Sequence, residues 1–298
     1  MQSIFVAPGS KGDLFPFLAL GKRLVERGHQ VSVITQGIHD ADVQRAGLEH
    51  VPIFNCELEE ETLRLMDRAV NGDIPMRRVK PKVMRLFNEM APQRIYELIR
   101  RHRRGDATVV ASNDFLANGA ASLAREKLGT GHTAIWVTPW NLRWSAPWLP
   151  HPIQRFEFLI RDTAIRLMEP ATVSRYFELR RELGLTRRRG HAKSCLYSAQ
   201  RHLCLFPRWS VPWYRDTLSP LVFSDFPRYQ REASKLSEPM ERFLSEGPPP
   251  VVVCHASWRM DVQQYLETCA EACRTLGLRV VLISNRELPD LESSKDQF

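Results

Sequence analysis

The order of elements at the amino terminus restricts this chain more than any other feature. An apolar run, Ile4-Phe5-Val6-Ala7, leads into Pro8-Gly9-Ser10-Lys11-Gly12-Asp13, and the stretch Phe17–Val25 then carries apolar residues at helical spacing. After Gly28-His29 comes a β-branched run, Val31-Ser32-Val33-Ile34-Thr35. Strand, glycine turn, helix and strand in that order form a βαβ crossover, which requires a parallel sheet. The turn lies at the carboxyl end of the first strand, where open α/β sheets place their ligands. It holds one acid, Asp13, beside glycines that let a ligand approach the backbone.

The same alternation continues. Asp40–Gly47 reads as a short helix closed by glycine, and Glu49–Phe54 as a third strand. Residues 57–104 carry two or three helices, the last over about 83–103. Ala107–Ser112 is a buried strand ending at Asn113-Asp114, ahead of a helix over Phe115–Lys127 and a strand over Thr133–Val137. Trp140, Trp144 and Trp148 then crowd together with prolines that break a continuous helix. This segment is either the wall of an apolar pocket or a small hydrophobic core under a long loop. Helices over 160–168 and 170–183 and short strands at Leu203–Pro207 and Leu221–Phe223 complete a first domain, 1–225. Residues 226–250, with a short helix (Glu238–Ser245) and Pro248-Pro249-Pro250, read as a linker. A second βαβ occupies 251–298: strand Val251–Cys254, helix Asp261–Thr275, strand Leu278–Ser284. A piece of about 45–50 residues buries too little surface to stand alone. It either docks on the first domain or is the beginning of a larger second one.

Composition narrows the function classes. Apolar content of 43% with 26% charged residues is that of a globular protein. The net charge of +8 is concentrated in Arg100-Arg101-His102-Arg103-Arg104 and Arg187-Arg188-Arg189. Such clusters are either solvated helix ends or a basic face for acidic ligands and anionic lipid. No nucleic-acid-reading motif accompanies them, which argues against nucleic acid as a partner. The six cysteines form no CxxC pair and no zinc-ligand spacing, so free thiols in a reducing cytoplasm are expected, and no metal. The chain opens directly on a strand and has no apolar run of about 18 residues, so neither a signal peptide nor a membrane span is expected.

The turn after the first strand lacks GxGxxG, and the second strand ends in Thr35-Gln36 where a dinucleotide fold places an acid, which argues against an NAD enzyme. No GxxxxGK[ST] loop is present. Asp13 fits either a general base at the strand end or an N-cap of the helix that follows. Asp114 poses the same choice. His255 and Ser257, after the first strand of the second βαβ, are placed either to meet an anionic ligand or to finish a turn.

Gly9-Ser10-Lys11-Gly12-Asp13-Leu14-Phe15-Pro16-Phe17-Leu18-Ala19-Leu20-Gly21, continuing through Arg27-Gly28-His29-Gln30-Val31-Ser32-Val33, closely resembles the amino terminus of GT-B glycosyltransferases. The similar branch is the UDP-glycosyltransferase-like group acting on sterols, macrolides, glycopeptides and lipids, rhamnosyltransferases of glycolipid synthesis included. Ser112-Asn113-Asp114, Leu205-Phe206-Pro207 and the triple proline before Val251 fall in the same order, so the resemblance spans most of the chain.

It implies an α/β GT-B architecture: an N-terminal Rossmann-like acceptor domain plus the first βαβ part of a Rossmann-like nucleotide-sugar domain. It further implies inverting, metal-independent transfer of a hexose or deoxyhexose to a hydroxyl of an apolar acceptor, without a cofactor. By resemblance Asp13 is the base, and Asp114 supports Asp13 or the acceptor. Gly12, Trp140, Trp144 and Trp148 contact the acceptor, and His255 and Ser257 the donor. Cys254-His255-Ala256-Ser257 stands where relatives commonly carry a Gly-Ser turn. The family's His- and Gly-rich donor motif is expected beyond residue 298, which marks the donor domain as C-terminally truncated. The competing expectation is an inactive fragment that binds a ligand or partner. A cytoplasmic protein with peripheral contact to the inner face of an anionic membrane fits the basic charge.

Overall fold

In a computed structural model the described residues are 1–54, 65, 92–105, 108–113, 115–139, 163, 167, 170–186, 198–212, 220–230, 235–255 and 262–284. They fall into two compact units, Met1–Tyr229 and Gln230–Phe298.

The first unit is a seven-stranded parallel sheet in the order β3-β2-β1-β4-β5-β6-β7. Its strands are β1 (Gln2–Val6), β2 (Gln30–Thr35), β3 (Glu49–Pro52), β4 (Thr108–Ser112), β5 (Gly131–Trp136), β6 (Arg201–Cys204) and β7 (Leu221–Phe223). The chain builds outward from β1 to β3, then returns to the other side of β1 for β4. Val6 pairs with both Ile34 and Ser112 at this reversal. The crevice at such a switch point, beyond the carboxyl ends of β1 and β4, is where open sheets of this kind bind ligands.

Both faces of the sheet are covered, which is why β1 is apolar through most of its length and buried throughout. One face packs Phe5, Val33 and Ala111 against Leu14, Phe17 and Leu18 of α1 (Lys11–Glu26) and Val43 of α2 (Asp40–Arg45). The other packs Ile4, Val6 and Val110 beneath a helix over 92–102 (α3), α4 (Phe115–Leu128) and α5 (Pro170–Glu182). Ala117, Ala120, Ala121 and Ala124 let α4 lie close to the strands. Gly21 does the same for α1, since a Cβ there would meet Leu48 Cδ1 at 2.7 Å. Arg180 of α5, almost wholly buried, donates to Glu126 of α4 through both terminal guanidinium nitrogens, Nη1 to Oε1 at 3.0 Å and Nη2 to Oε2 at 2.5 Å.

Element boundaries depart from the sequence reading where caps decide them. The first helix starts at Lys11 rather than near Phe17, because Ser10 caps it and Asp13 at its third position accepts the Ser10 N–H. The N-cap is therefore Ser10, not Asp13. Pro16 sits inside this helix and offers no N–H to the Gly12 carbonyl. The third strand ends at Pro52, although Ile53 N–H still bonds Thr35 O at 2.8 Å. The strand expected from Leu203 to Pro207 is Arg201–Cys204, followed by a single 3₁₀ turn, Arg208–Ser210.

The first basic cluster has structural work at the amino-terminal end of the sheet. Arg103 donates to Leu128 O, and Arg104 N–H to Gln2 Oε1 at 2.7 Å. Gln2 in turn donates to His102 O and accepts from Thr108 Oγ1. The segment with Trp140, Trp144 and Trp148, the Arg187–Arg189 run and most of 57–91 lie outside the described residues.

In the second unit, β8 (Val251–Cys254) and β9 (Val280–Ile283) pair in parallel, joined by α7 (Val262–Thr275) and preceded by α6 (Glu238–Ser245). Val253, Val262, Leu266, Cys273 and Val280 form its core. Arg279 lies 4.0 Å over the Phe243 ring and donates to Pro248 O at 2.7 Å, tying α6 to β9.

Candidate active site

Asp13 stands in the first turn of α1, directly beyond β1. Its Oδ2 accepts from the Ser10 N–H at 2.9 Å and from Ser10 Oγ at 3.0 Å. Among the described residues Oδ1 receives no hydrogen bond. One oxygen is thus fixed by the helix cap, and the other has no donor among the described residues. The turn needs glycine at position 9: φ is +127°, and a Cβ there would lie 2.6 Å from Asp13 Oδ2. Gly12, by contrast, is an exposed helical residue whose added Cβ would meet only Ser10 Oγ, at 3.5 Å.

The exit of β2 holds this turn from the side. Thr35 Oγ1 donates to Ala7 O at 2.8 Å, and His39, 3% exposed, sets its Nε2 3.0 Å from Gly9 O. Lys11 reaches Asp42 of α2 at 3.7 Å, and Tyr229 lays its ring 5.3 Å from that of Phe15. Neither Thr35 nor His39 was legible as a site residue, because what they contact is backbone from another strand.

Beyond β4, Asn113 is buried and its Oδ1 has no partner among the described residues. Ser112 pairs with Val6 across the ladder, so the 112–113 exit and the Asp13 turn leave the same end of adjacent strands. Asp114 itself lies outside the described residues, as do Trp140, Trp144, Trp148 and Ser257. His255 follows β8 in the second unit, partly buried.

A second polar group, not singled out by the sequence, is buried between α4 and the strands. Ser112 Oγ donates to Asn118 Oδ1 at 2.6 Å, and His132 Nε2 lies 3.2 Å from both. Burial, helped by the positive neighbours His202 and Arg125, lowers the His132 pKa to about 3. Burial alone brings His202 to about 4, with its ring stacked on Trp136. Cys204 is buried too, and its thiol is pushed up to about 12, so it is not a nucleophile. Among the described residues no group of three His, Cys, Asp or Glu side chains could hold a metal ion, and no helix is long and apolar enough to cross a membrane.

Residues 3–104, which contain the Asp13 turn, match the glycosyltransferase family 28 N-terminal domain. The whole fold matches solved glycosyltransferases: a spinosyn forosaminyltransferase (TM-score 0.61, 16% identity) and the kitacinnamycin glycotransferase (0.60, 18%). All of this chain is covered in both cases, against 69% and 70% of those chains. The chain shares the GT-B fold of these enzymes, and its first third matches the family 28 N-terminal domain. A sterol 3-beta-glucosyltransferase of Arabidopsis thaliana is 25% identical over 265 residues, which is 85% of this GT-B chain and 42% of the relative. The sterol 3-beta-glucosyltransferase of Saccharomyces cerevisiae is 35% identical over 63 residues, 21% of the chain and 5% of the relative. The GT-B chain thus spans less than half the length of these curated relatives. Another neighbour, the glycosyltransferase VinC (TM-score 0.56, 15% identity, 100% and 71% covered), was solved with dTDP.

Proposed function

We propose that this chain serves an inverting glycosyltransferase that moves a hexose or deoxyhexose from a nucleotide sugar to a hydroxyl of an apolar, lipid-, sterol- or polyketide-like acceptor. The observation that carries the reading is the Asp13 carboxylate, pinned through Oδ2 to Ser10 with Oδ1 unbonded among the described residues, at the switch point of the sheet. In this reading Oδ1 takes the proton of the acceptor hydroxyl. The oxygen's electron pair forms the new bond to the anomeric carbon, and the bond to the diphosphate breaks from the opposite side. The nucleoside diphosphate leaves with that pair. A base so held contributes about 10²–10⁴-fold to rate.

Asp114 is proposed to orient Asp13 or the acceptor, with Trp140, Trp144 and Trp148 as an apolar wall and Gly12 as the close-approach point. His255 and Ser257 are the proposed contacts to the donor diphosphate. The sterol glucosyltransferase relatives favour a sterol-like acceptor, and the neighbour solved with dTDP favours a nucleotide-sugar donor. A reducing cytoplasmic setting, with the basic chain peripheral to an anionic membrane, accords with the net charge of +8. Incubation with labelled UDP- and dTDP-sugars and a panel of sterols and hydroxylated lipids tests the reading. Labelled glycoside is expected. Neither product nor donor binding would leave only a ligand- or partner-binding role.

A further inference from the structure

We infer that His39 is a positioning residue for Asp13, an inference that rests on the reading of Asp13 as the base. The two are linked through a single peptide group. His39 Nε2 lies 3.0 Å from the carbonyl of Gly9, and the N–H on the other side of that same peptide, belonging to Ser10, donates to Asp13 Oδ2 at 2.9 Å. A peptide unit is planar, so fixing its C=O fixes the direction of its N–H. Hydrogen bonding at the carbonyl also polarises the N–H and strengthens the bond it gives.

The device is needed at this place. Gly9 has no side chain to hold it and sits at φ +127°, where glycine alone turns freely. Without a partner on the carbonyl, the Gly9–Ser10 peptide is free to rotate, and Asp13 Oδ2 loses a donor. Thr35 Oγ1 on Ala7 O holds the chain two residues earlier, so His39 completes a clamp from the exit of β2 onto the exit of β1.

A carbonyl only accepts, so Nε2 carries the hydrogen. Nδ1 is buried and has no partner among the described residues, which is costly for a polar atom. An apolar side chain would fill the position without that orphan. The Nε2 bond is therefore what the histidine supplies. His39 touches no reacting atom and acts only through the peptide.

The test is amide hydrogen exchange at Ser10, followed by NMR in the full chain, for the wild type, His39→Phe and His39→Gln, with urea midpoints on the same samples. Phenylalanine fills the space without a donor, and glutamine returns an N–H. In His39→Phe the Ser10 amide is expected to exchange about tenfold faster, the factor carried by one ordinary hydrogen bond. Core-strand amides should be unchanged, and His39→Gln should restore most of the protection. Unchanged exchange at Ser10 would overturn the inference. So would equal acceleration across the β1 and β2 amides, since the histidine would then only hold the fold. Turnover separates the two levels of the reading. If Asp13→Asn abolishes transfer and His39→Phe leaves kcat intact, positioning fails and the base stands. If Asp13→Asn leaves turnover unchanged, the base fails, and the Ser10 exchange still reports on the clamp.

Discussion

A Cβ on Gly9 would stand 2.6 Å from Oδ2 of Asp13, so the carboxylate occupies space that only glycine leaves open. Replacing Gly9 by alanine forces both a left-handed backbone strain of about 1–3 kcal/mol and displacement of the carboxylate. Gly9→Ala is expected to lower the urea midpoint and to remove transfer, whereas Gly12→Ala, meeting only Ser10 Oγ at 3.5 Å, should keep the wild-type urea midpoint. Parallel denaturation and glycoside assays on the two variants check this contrast.

The buried pair His132 and His202 is expected to make the protein acid-sensitive. Burial lowers their pKa values to about 3 and about 4, below the roughly 6.5 of an unfolded chain. Below pH 6.5 the unfolded state takes up protons that the folded state refuses, so stability present above that pH is lost as pH falls. By pH 5 each histidine should cost about 2 kcal/mol. Urea midpoints at pH 7.5 and pH 5 should differ strongly for the wild type. The difference should shrink in His132→Gln/His202→Gln.

The parallel sheet was readable from sequence because its strands are buried on both faces and appear as unbroken apolar runs between glycine-closed helices. Ile4–Ala7 and Val31–Thr35 show this directly. The place of Asp13, in the turn beyond β1, was readable because the order of strand, turn and helix already located that turn. The helix start was misjudged, since the capping of Lys11–Glu26 depends on the Ser10–Asp13 bond, a three-residue geometry that apolar spacing does not register. Asn118, His132 and His39 were missed for a related reason. Each is a polar residue on a buried face, and its partners come from other strands or helices, so no local pattern marks it.

The Arg180–Glu126 pair joins α5 to α4 with the guanidinium almost wholly buried. Arg180→Leu should cost about 3–5 kcal/mol, because Glu126 then loses its bidentate partner. Arg180→Leu/Glu126→Leu should recover much of that loss. Thermal or urea unfolding of the three proteins reads the effect. A single variant as stable as the wild type would show that the pair contributes nothing.

Asp13→Asn keeps the size of the side chain and an oxygen to accept from Ser10, but removes the basic carboxylate. The direct measurement is kcat for glycoside formation from a labelled nucleotide sugar, in wild type and Asp13→Asn, with the folding of both checked by urea unfolding. A fall of about 10²–10⁴-fold in kcat with an unchanged unfolding midpoint is the expected result. Turnover by Asp13→Asn equal to that of the wild type would contradict a catalytic Asp13.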